Sequence, residues 1–206
     1  MYSGFDTAVA FSRPADLIKR KHVSVNLRAI KGADRITLNA VREEPNSPGI
    51  LDTPRQVAKT LVARFSGLQD DPSLHPRELF PEWHNEMILD RDIPFSSMCE
   101  PHLLPFNGVA QVGYIPDVRV SDLSKPARVV DEAPRRPHVQ ERMTQAIDEV
   151  LESDLKTAAA VVVTEAEHSC IAIRDTKKSE SLTVTSSVRG SSKDKLQRQR
   201  SYGSHS

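Results

Sequence analysis

Two periods run through the apolar positions of this chain. Near the start, Leu27, Ile30, Ile36, Leu38 and Val41 give one apolar face of one or two helical turns, interrupted at Gly32. Asn46 to Gly49 is a turn cluster. Thr53-Pro54-Arg55-Gln56 then predicts a helix start, with Thr53 as N-cap, Pro54 at the first helical position and Gln56 closing a capping box. Val57, Leu61, Val62 and Phe65 form its stripe, and Gly67 marks its end. Met87 to Ile93 looks like a strand, and so does Gly108 to Ile115, where Ala110, Val112 and Tyr114 share one face. Pro137 opens a second amphipathic helix with Val139, Met143, Ile147, Val150 and Leu151 inward. Ala158 to Ile173 reads as one long strand, and Ser181 to Val188 as another. The order predicts an α+β domain: a mostly antiparallel sheet with helices segregated on one face.

The flanks differ. Residues 1–22 are unpatterned and read as a flexible extension. Residues 191–206 are a polar, basic tail expected to be disordered. Of the 206 residues, 38% are hydrophobic and 27% charged, enough apolar material for a core and too much for a disordered chain. Lys plus Arg equals Asp plus Glu, at 28 each, which argues against a nucleic-acid binder. No apolar run reaches the ~20 residues of a membrane span. The N-terminus lacks a secretory pattern, so a cytoplasmic protein without membrane partners is expected. Two cysteines, Cys99 and Cys170, are too few for a disulfide scaffold.

Those cysteines have suggestive neighbours. Cys99-Glu100-Pro101-His102 spaces a thiolate and an imidazole for one metal ion. His168 and Cys170, two apart on the predicted strand, point to one face. A closed structural zinc would take all four residues. An open catalytic zinc would take three and leave a position for water, activated as a nucleophile near neutral pH. Ser124-Lys125-Pro126-Ala127-Arg128 sets a hydroxyl, as N-cap, and two cations at a helix start, a reasonable phosphate site. Glu141, if buried at the start of the second helix, offers two acceptors to the N1–H and amino group of a guanine.

Six motifs occur in register. They are Cys-Glu-x-His-Leu-Leu-Pro-Phe, Gly-Tyr-Ile-Pro, Leu-Ser-Lys-x-Ala-Arg, Arg-Pro-x-Val-Gln-Glu-Arg-Met-Thr, Glu-Ala-Glu-His-x-Cys and Thr-Val-Thr-Ser-Ser-Val-Arg-Gly. From about Asp34 to Gly190 the chain resembles GTP cyclohydrolase I. The resemblance implies a domain over 23–190, helical to about residue 84 and with the tunnelling fold (T-fold) over 85–190. It implies a toroidal homodecamer with active sites between subunits. It implies Zn2+ held by Cys99, His102 and Cys170, and catalysis by His168 and Glu100. Guanine contacts fall on Glu141 and Gln140, and triphosphate contacts on Ser124, Lys125, Arg128, Arg174 and Lys59. The implied reaction hydrolyses GTP at C8, releases formate and yields 7,8-dihydroneopterin triphosphate, the entry to pterin and folate synthesis.

Three departures bear on that picture. The family reads Cys-Glu-His-His where this chain has Pro101, which has no titratable group and no N–H. Gln56 stands where the family has a triphosphate-binding arginine. The polar tail replaces a C-terminal helix. An enzyme arrested at the formylaminopyrimidine, one acting on a related purine nucleotide, and an inactive nucleotide-binding homologue therefore stand as alternatives. His138 is the one other histidine near a motif that offers compensation for the lost group.

Overall fold

Helix α1 (Leu27–Ala40) starts at Asn26, whose side-chain oxygen accepts from the Ala29 N–H at 2.9 Å. It runs through Gly32 without a break. One helical glycine costs only about 1 kcal/mol, too little by itself to end a capped helix. Helix α2 (Thr53–Arg64) is capped by Asp52 rather than by Thr53. The Asp52 carboxylate is taken by the side chains of Arg55 and Gln56, so the expected capping box is replaced by a side-chain cluster. The helix ends before Gly67. That glycine is a contact point: its N–H donates to Arg135 O at 2.9 Å and its carbonyl accepts from Arg136. A Cβ there would lie 2.9 Å from the Arg135 oxygen.

The protein is described from a computed structural model, which covers residues 25–68, 79–80, 86–116, 120–121, 124–155, 157–173 and 181–190. Both expected tails and Arg174 lie outside them. Strands β1 (Leu79–Phe80) and β4 (Val120–Ser121) pair as a small separate sheet. The main sheet contains β2 (Ile88–Cys99), β3 (Pro105–Pro116), β5 (Pro137–His138), β6 (Thr157–His168) and β7 (Leu182–Gly190), in the order β5-β2-β3-β6-β7. All its pairings are antiparallel except the short parallel one of β5 with β2. A bulge in β2 puts Asp92 at φ 57, and Gln111 holds it by accepting from its N–H and donating to its carboxylate.

Ala110, Val112 and Tyr114 fill one face as expected, opposite Thr164, Val162 and Ala160. Helices α3 (Ser124–Glu132) and α4 (Gln140–Leu155) cover that face. Val129, Val130, Met143, Ile147, Val150 and Leu151 complete the core. Strand β2 runs past Ile93 to Cys99 and β3 begins at Pro105 rather than Gly108, and two further boundaries differ from expectation. Pro137 does not open α4: lacking an N–H, it pairs in β5 with Met98, and the helix begins three residues later. Strand β6 stops at His168, where the chain turns into the one-turn helix α5 (Ser169–Ala172). Among the described residues no helix is long and apolar enough to cross a membrane.

One side of α4 is polar yet buried. The hydroxyls of Thr144, Thr164 and Thr185 lie 2.6–2.8 Å from one another. Ser187 donates to Asp148 at 2.6 Å, and Arg189 pairs with Asp148 and Glu149. Burial pushes the Asp148 carboxyl up to about 6, against the pull of Ser187 and Arg189 and with the help of Glu152 and Glu149. Burial pushes His138 down to about 4, against its bond to Ala133 O, and the charges of Arg136 and Arg142 add to the effect.

These two groups act oppositely between pH 4 and 6. Folded Asp148 keeps a proton that the unfolded chain gives up, so its contribution falls as pH rises. Folded His138 excludes a proton that the unfolded chain takes up, so its contribution grows as pH rises. Asp148→Asn removes the first effect. Its stability should therefore climb more steeply than wild type's from pH 4 to 6, by about 2 kcal/mol over the interval. Urea midpoints at pH 4, 5 and 6 measure this; parallel profiles would mean that Asp148 titrates normally.

Candidate metal and nucleotide site

The tight turn between β2 and β3 builds one half of the site. Cys99 N–H donates to Leu104 O, and Leu103 N–H to Cys99 O, both at 2.8 Å, with Leu103 at φ 51. This loop carries His102 Nδ1 to 3.3 Å from Cys99 Sγ. The other half comes from the end of β6, where helix α5 brings Cys170 Sγ to 3.8 Å from Cys99 Sγ. Cys170 thus reaches the site by a helical turn, not from a shared strand face with His168. The donor atoms of Cys99, His102 and Cys170 all lie within 4.8 Å of one another.

These distances fit a tetrahedral zinc. Bonds of about 2.3 Å to sulfur and 2.0–2.1 Å to nitrogen place two sulfurs about 3.8 Å apart, and sulfur and nitrogen about 3.6 Å apart. Burial, and the thiol of Cys170 beside it, push the Cys99 thiol up. A bound dication offsets that cost by stabilising the thiolate.

His168 sits beside this group with its ring engaged elsewhere. It stacks on Phe106, with ring centroids 4.6 Å apart and planes 7° apart. Its Nε2 lies 2.7 Å from Gln140 Oε1. Burial holds its pKa below the ordinary value, partly offset by the charge of Glu141. The geometry gathers Cys99, His102 and Cys170, and His168 is not among the gathered donors.

The remaining candidates are scattered. Glu100 is exposed and forms an ion pair with Arg142 at 2.5 Å, and its N–H donates to His138 O at 2.9 Å. Glu141 is exposed on the first turn of α4, so the burial that would favour its role toward a guanine is not seen in this chain. Gln140 is 2% exposed. Ser124 is the first residue of α3 rather than its N-cap. Lys125 is 7% exposed, and its Nζ has no hydrogen-bond partner among the described residues. Arg128 and Lys59 are exposed on α3 and α2. His138 is buried, with Nε2 3.0 Å from Ala133 O and Nδ1 without a hydrogen-bond partner among the described residues. Sequence reasoning assigned no role to Arg142 or Phe106. Both lie within the quoted motifs, but their partners become visible only in three dimensions.

The chain matches the family model described as GTP cyclohydrolase I over residues 30–205. It is 48% identical over 167 residues to the GTP cyclohydrolase 1 proteins of Bacillus cytotoxicus, Bacillus mycoides and Bacillus cereus, covering 81% of this chain and 88% of each relative. Among solved structures, the archaeosine synthase QueF-Like in its apo form superposes with a TM-score of 0.42 at 14% identity, over 53% of this chain and 97% of that one. That likeness is too weak to carry a statement about fold or chemistry. The curled antiparallel sheet with helices fits a tunnelling-fold cyclohydrolase. Carrying a cysteine–histidine–cysteine group at one end of its sheet, this chain belongs to the GTP cyclohydrolase I family.

Proposed function

We propose that this protein hydrolyses the imidazole ring of GTP at C8, with zinc held by Cys99, His102 and Cys170, and forms formate and 7,8-dihydroneopterin triphosphate. The observation that carries this reading is the convergence of those three donors at zinc-like spacing, with His168 two residues before Cys170 and its Nε2 2.7 Å from Gln140 Oε1. Zinc bound there supplies Lewis-acid activation of water at neutral pH. His168, held by Phe106 and Gln140, exchanges a proton with the purine. Glu141 accepts from guanine N1–H and the amino group. Lys125, a nearly buried ammonium without a partner among the described residues, suits a triphosphate oxygen. Ser124, Arg128, Lys59 and Arg174 supply further contacts, and Glu100, tied to Arg142, steadies the loop of the first two metal ligands. A homodecamer is the assembly this reading carries. The exposed Leu182 and Val184 on the end strand of the sheet suit contact with a second copy.

A second reading is supported by Pro101. The family's histidine at this position is absent, and His138 is buried and engaged. On this reading the enzyme opens the imidazole ring and accumulates the formylaminopyrimidine. Loss of one general acid–base group typically slows a step about 10²–10⁴-fold, enough to change which product collects.

Three measurements test these assignments. Wild-type protein should hold one zinc per subunit by metal analysis, and Cys170→Ser should lose most of it; full zinc retention would remove Cys170 from the ligand set. Glu141→Gln presents a donor to the guanine donors and should weaken GTP binding by about 1–3 kcal/mol in titration calorimetry. Unchanged affinity would place the base elsewhere. Incubation of zinc-loaded protein with GTP, with products identified by mass, separates pterin, formyl intermediate and unchanged nucleotide. Pro101→His should raise pterin and formate yields at equal zinc occupancy. A wild type that already forms the pterin rapidly, with no gain from the histidine, would overturn the arrested reading.

A further inference from the structure

Gln140 is the first residue of α4 and is buried, and the whole of its amide is engaged inside the protein. Its Nε2 lies 2.9 Å from Thr183 O, 3.2 Å from Thr164 O and 3.2 Å from Thr164 Oγ1. Backbone carbonyls only accept, so this end of the amide must be the NH2 group. The other end is therefore the oxygen, and it faces His168 Nε2 at 2.7 Å. An amide oxygen only accepts as well, so the proton of the neutral imidazole must sit on Nε2. Stacking on Phe106 fixes the plane of the ring, and Thr144, donating to Gln140 O at 2.9 Å, fixes the start of the helix.

We propose that Gln140 is a positioning residue: it holds His168 in the tautomer protonated on Nε2, leaving the lone pair of Nδ1 for proton transfer with the substrate. This replaces the expected guanine contact of Gln140, and it rests on the reading that His168 serves the cyclohydrolase reaction. The orientation is set by the sheet itself. Thr164 stands on β6 and Thr183 on β7, so the register of two strands decides which end of the amide meets the histidine. Removing the hydrogen-bond partner of a metal-ligating histidine typically costs about 10–100-fold in activity, and a loss of the same order is expected for the partner of this imidazole.

The test reads the tautomer directly and does not depend on turnover. Zinc-loaded protein labelled with 15N-histidine, with His168 assigned through His168→Asn, gives long-range proton–nitrogen correlations that distinguish Nε2–H from Nδ1–H. The expected wild-type result is Nε2–H. Gln140→Met keeps the shape but loses the acceptor, and should show mixed tautomers. Gln140→Glu, whose protonated carboxyl can donate to Thr183 O and accept from His168, should restore Nε2–H. In formate-release kinetics with GTP, Gln140→Met should lower kcat about 10–100-fold with KM within about twofold, and Gln140→Glu should recover part of the loss. Nδ1–H in the wild type overturns the proposal even if no variant folds. So does a raised KM at unchanged kcat, which would make Gln140 a substrate contact. No formate from the wild type would instead defeat the cyclohydrolase reading, with the tautomer measurement unaffected.

Discussion

The site depends on the register of one strand. β3 pairs with β2 on one side and with β6 on the other, and each pairing delivers one half of the metal group. The β2–β3 hairpin supplies Cys99 and His102. The β3–β6 ladder sets Phe106 opposite His168, just before the turn that carries Cys170. Two thiols 71 residues apart in sequence thereby come within 3.8 Å. A slip of one residue would turn every side chain of β6 to the other face. Gly108 guards against it: its pairing with Ala166 brings the strands so close that a Cβ would fall 1.9 Å from Glu165 O. A larger residue there would push β6 away from the metal loop, so the cost would appear in the site as well as in stability.

A second constraint ties the helical pair to the same place. The segment from Ala133 to His138 contacts three other parts of the chain. Ser97 donates to Pro134 O and Arg136 O, Glu100 to His138 O, and Gly67 to Arg135 O. Arg136 is nearly buried and caps the Gly67 carbonyl. The end of α2, the end of β2 and the start of α4 therefore meet on one short stretch of backbone. Its polar groups are satisfied by these cross-connections rather than by a helix or a long ladder. The arrangement explains why α4 starts at Gln140 and not at Pro137. The three residues between are committed to β5 and its neighbours.

The core is legible in the sequence where one period runs unbroken. Ala110, Val112 and Tyr114 alternate with polar or small residues, and the stripe of Met143, Ile147 and Leu151 is helical, so the inward face of each element follows from the pattern alone. The metal donors are legible from residue type and spacing. Boundaries decided by tertiary contacts are not. His168 and Cys170 read as one strand face because nothing local announces the turn after His168. Asp52 takes the cap from Thr53 through an ion pair with Arg55 that pattern reading does not weigh. The buried polar side of α4 is hidden because Thr144, Thr164 and Thr185 look individually like surface or strand residues; only their mutual hydrogen bonds justify burial. The role of Gln140 is hidden for the same reason, since it depends on carbonyls from two distant strands.

Position 101 shows how separately the scaffold and the chemistry are specified. The turn that holds Cys99 and His102 is closed by the N–H groups of Cys99, Glu100, His102 and Leu103. None of these bonds uses an N–H at residue 101, and the side chain there is exposed. A proline consequently costs the turn no hydrogen bond, and its fixed φ restricts the unfolded chain instead. The fold is indifferent to what a reaction at this place would require. By contrast Gly108, which touches no donor atom of the site, admits no other side chain without moving β6. The residues that determine where the metal group forms are thus different from those that would determine how far the reaction proceeds. A chain can keep the first set intact while changing the second, as the pairing of an undisturbed Cys99–His102–Cys170 group with Pro101 illustrates.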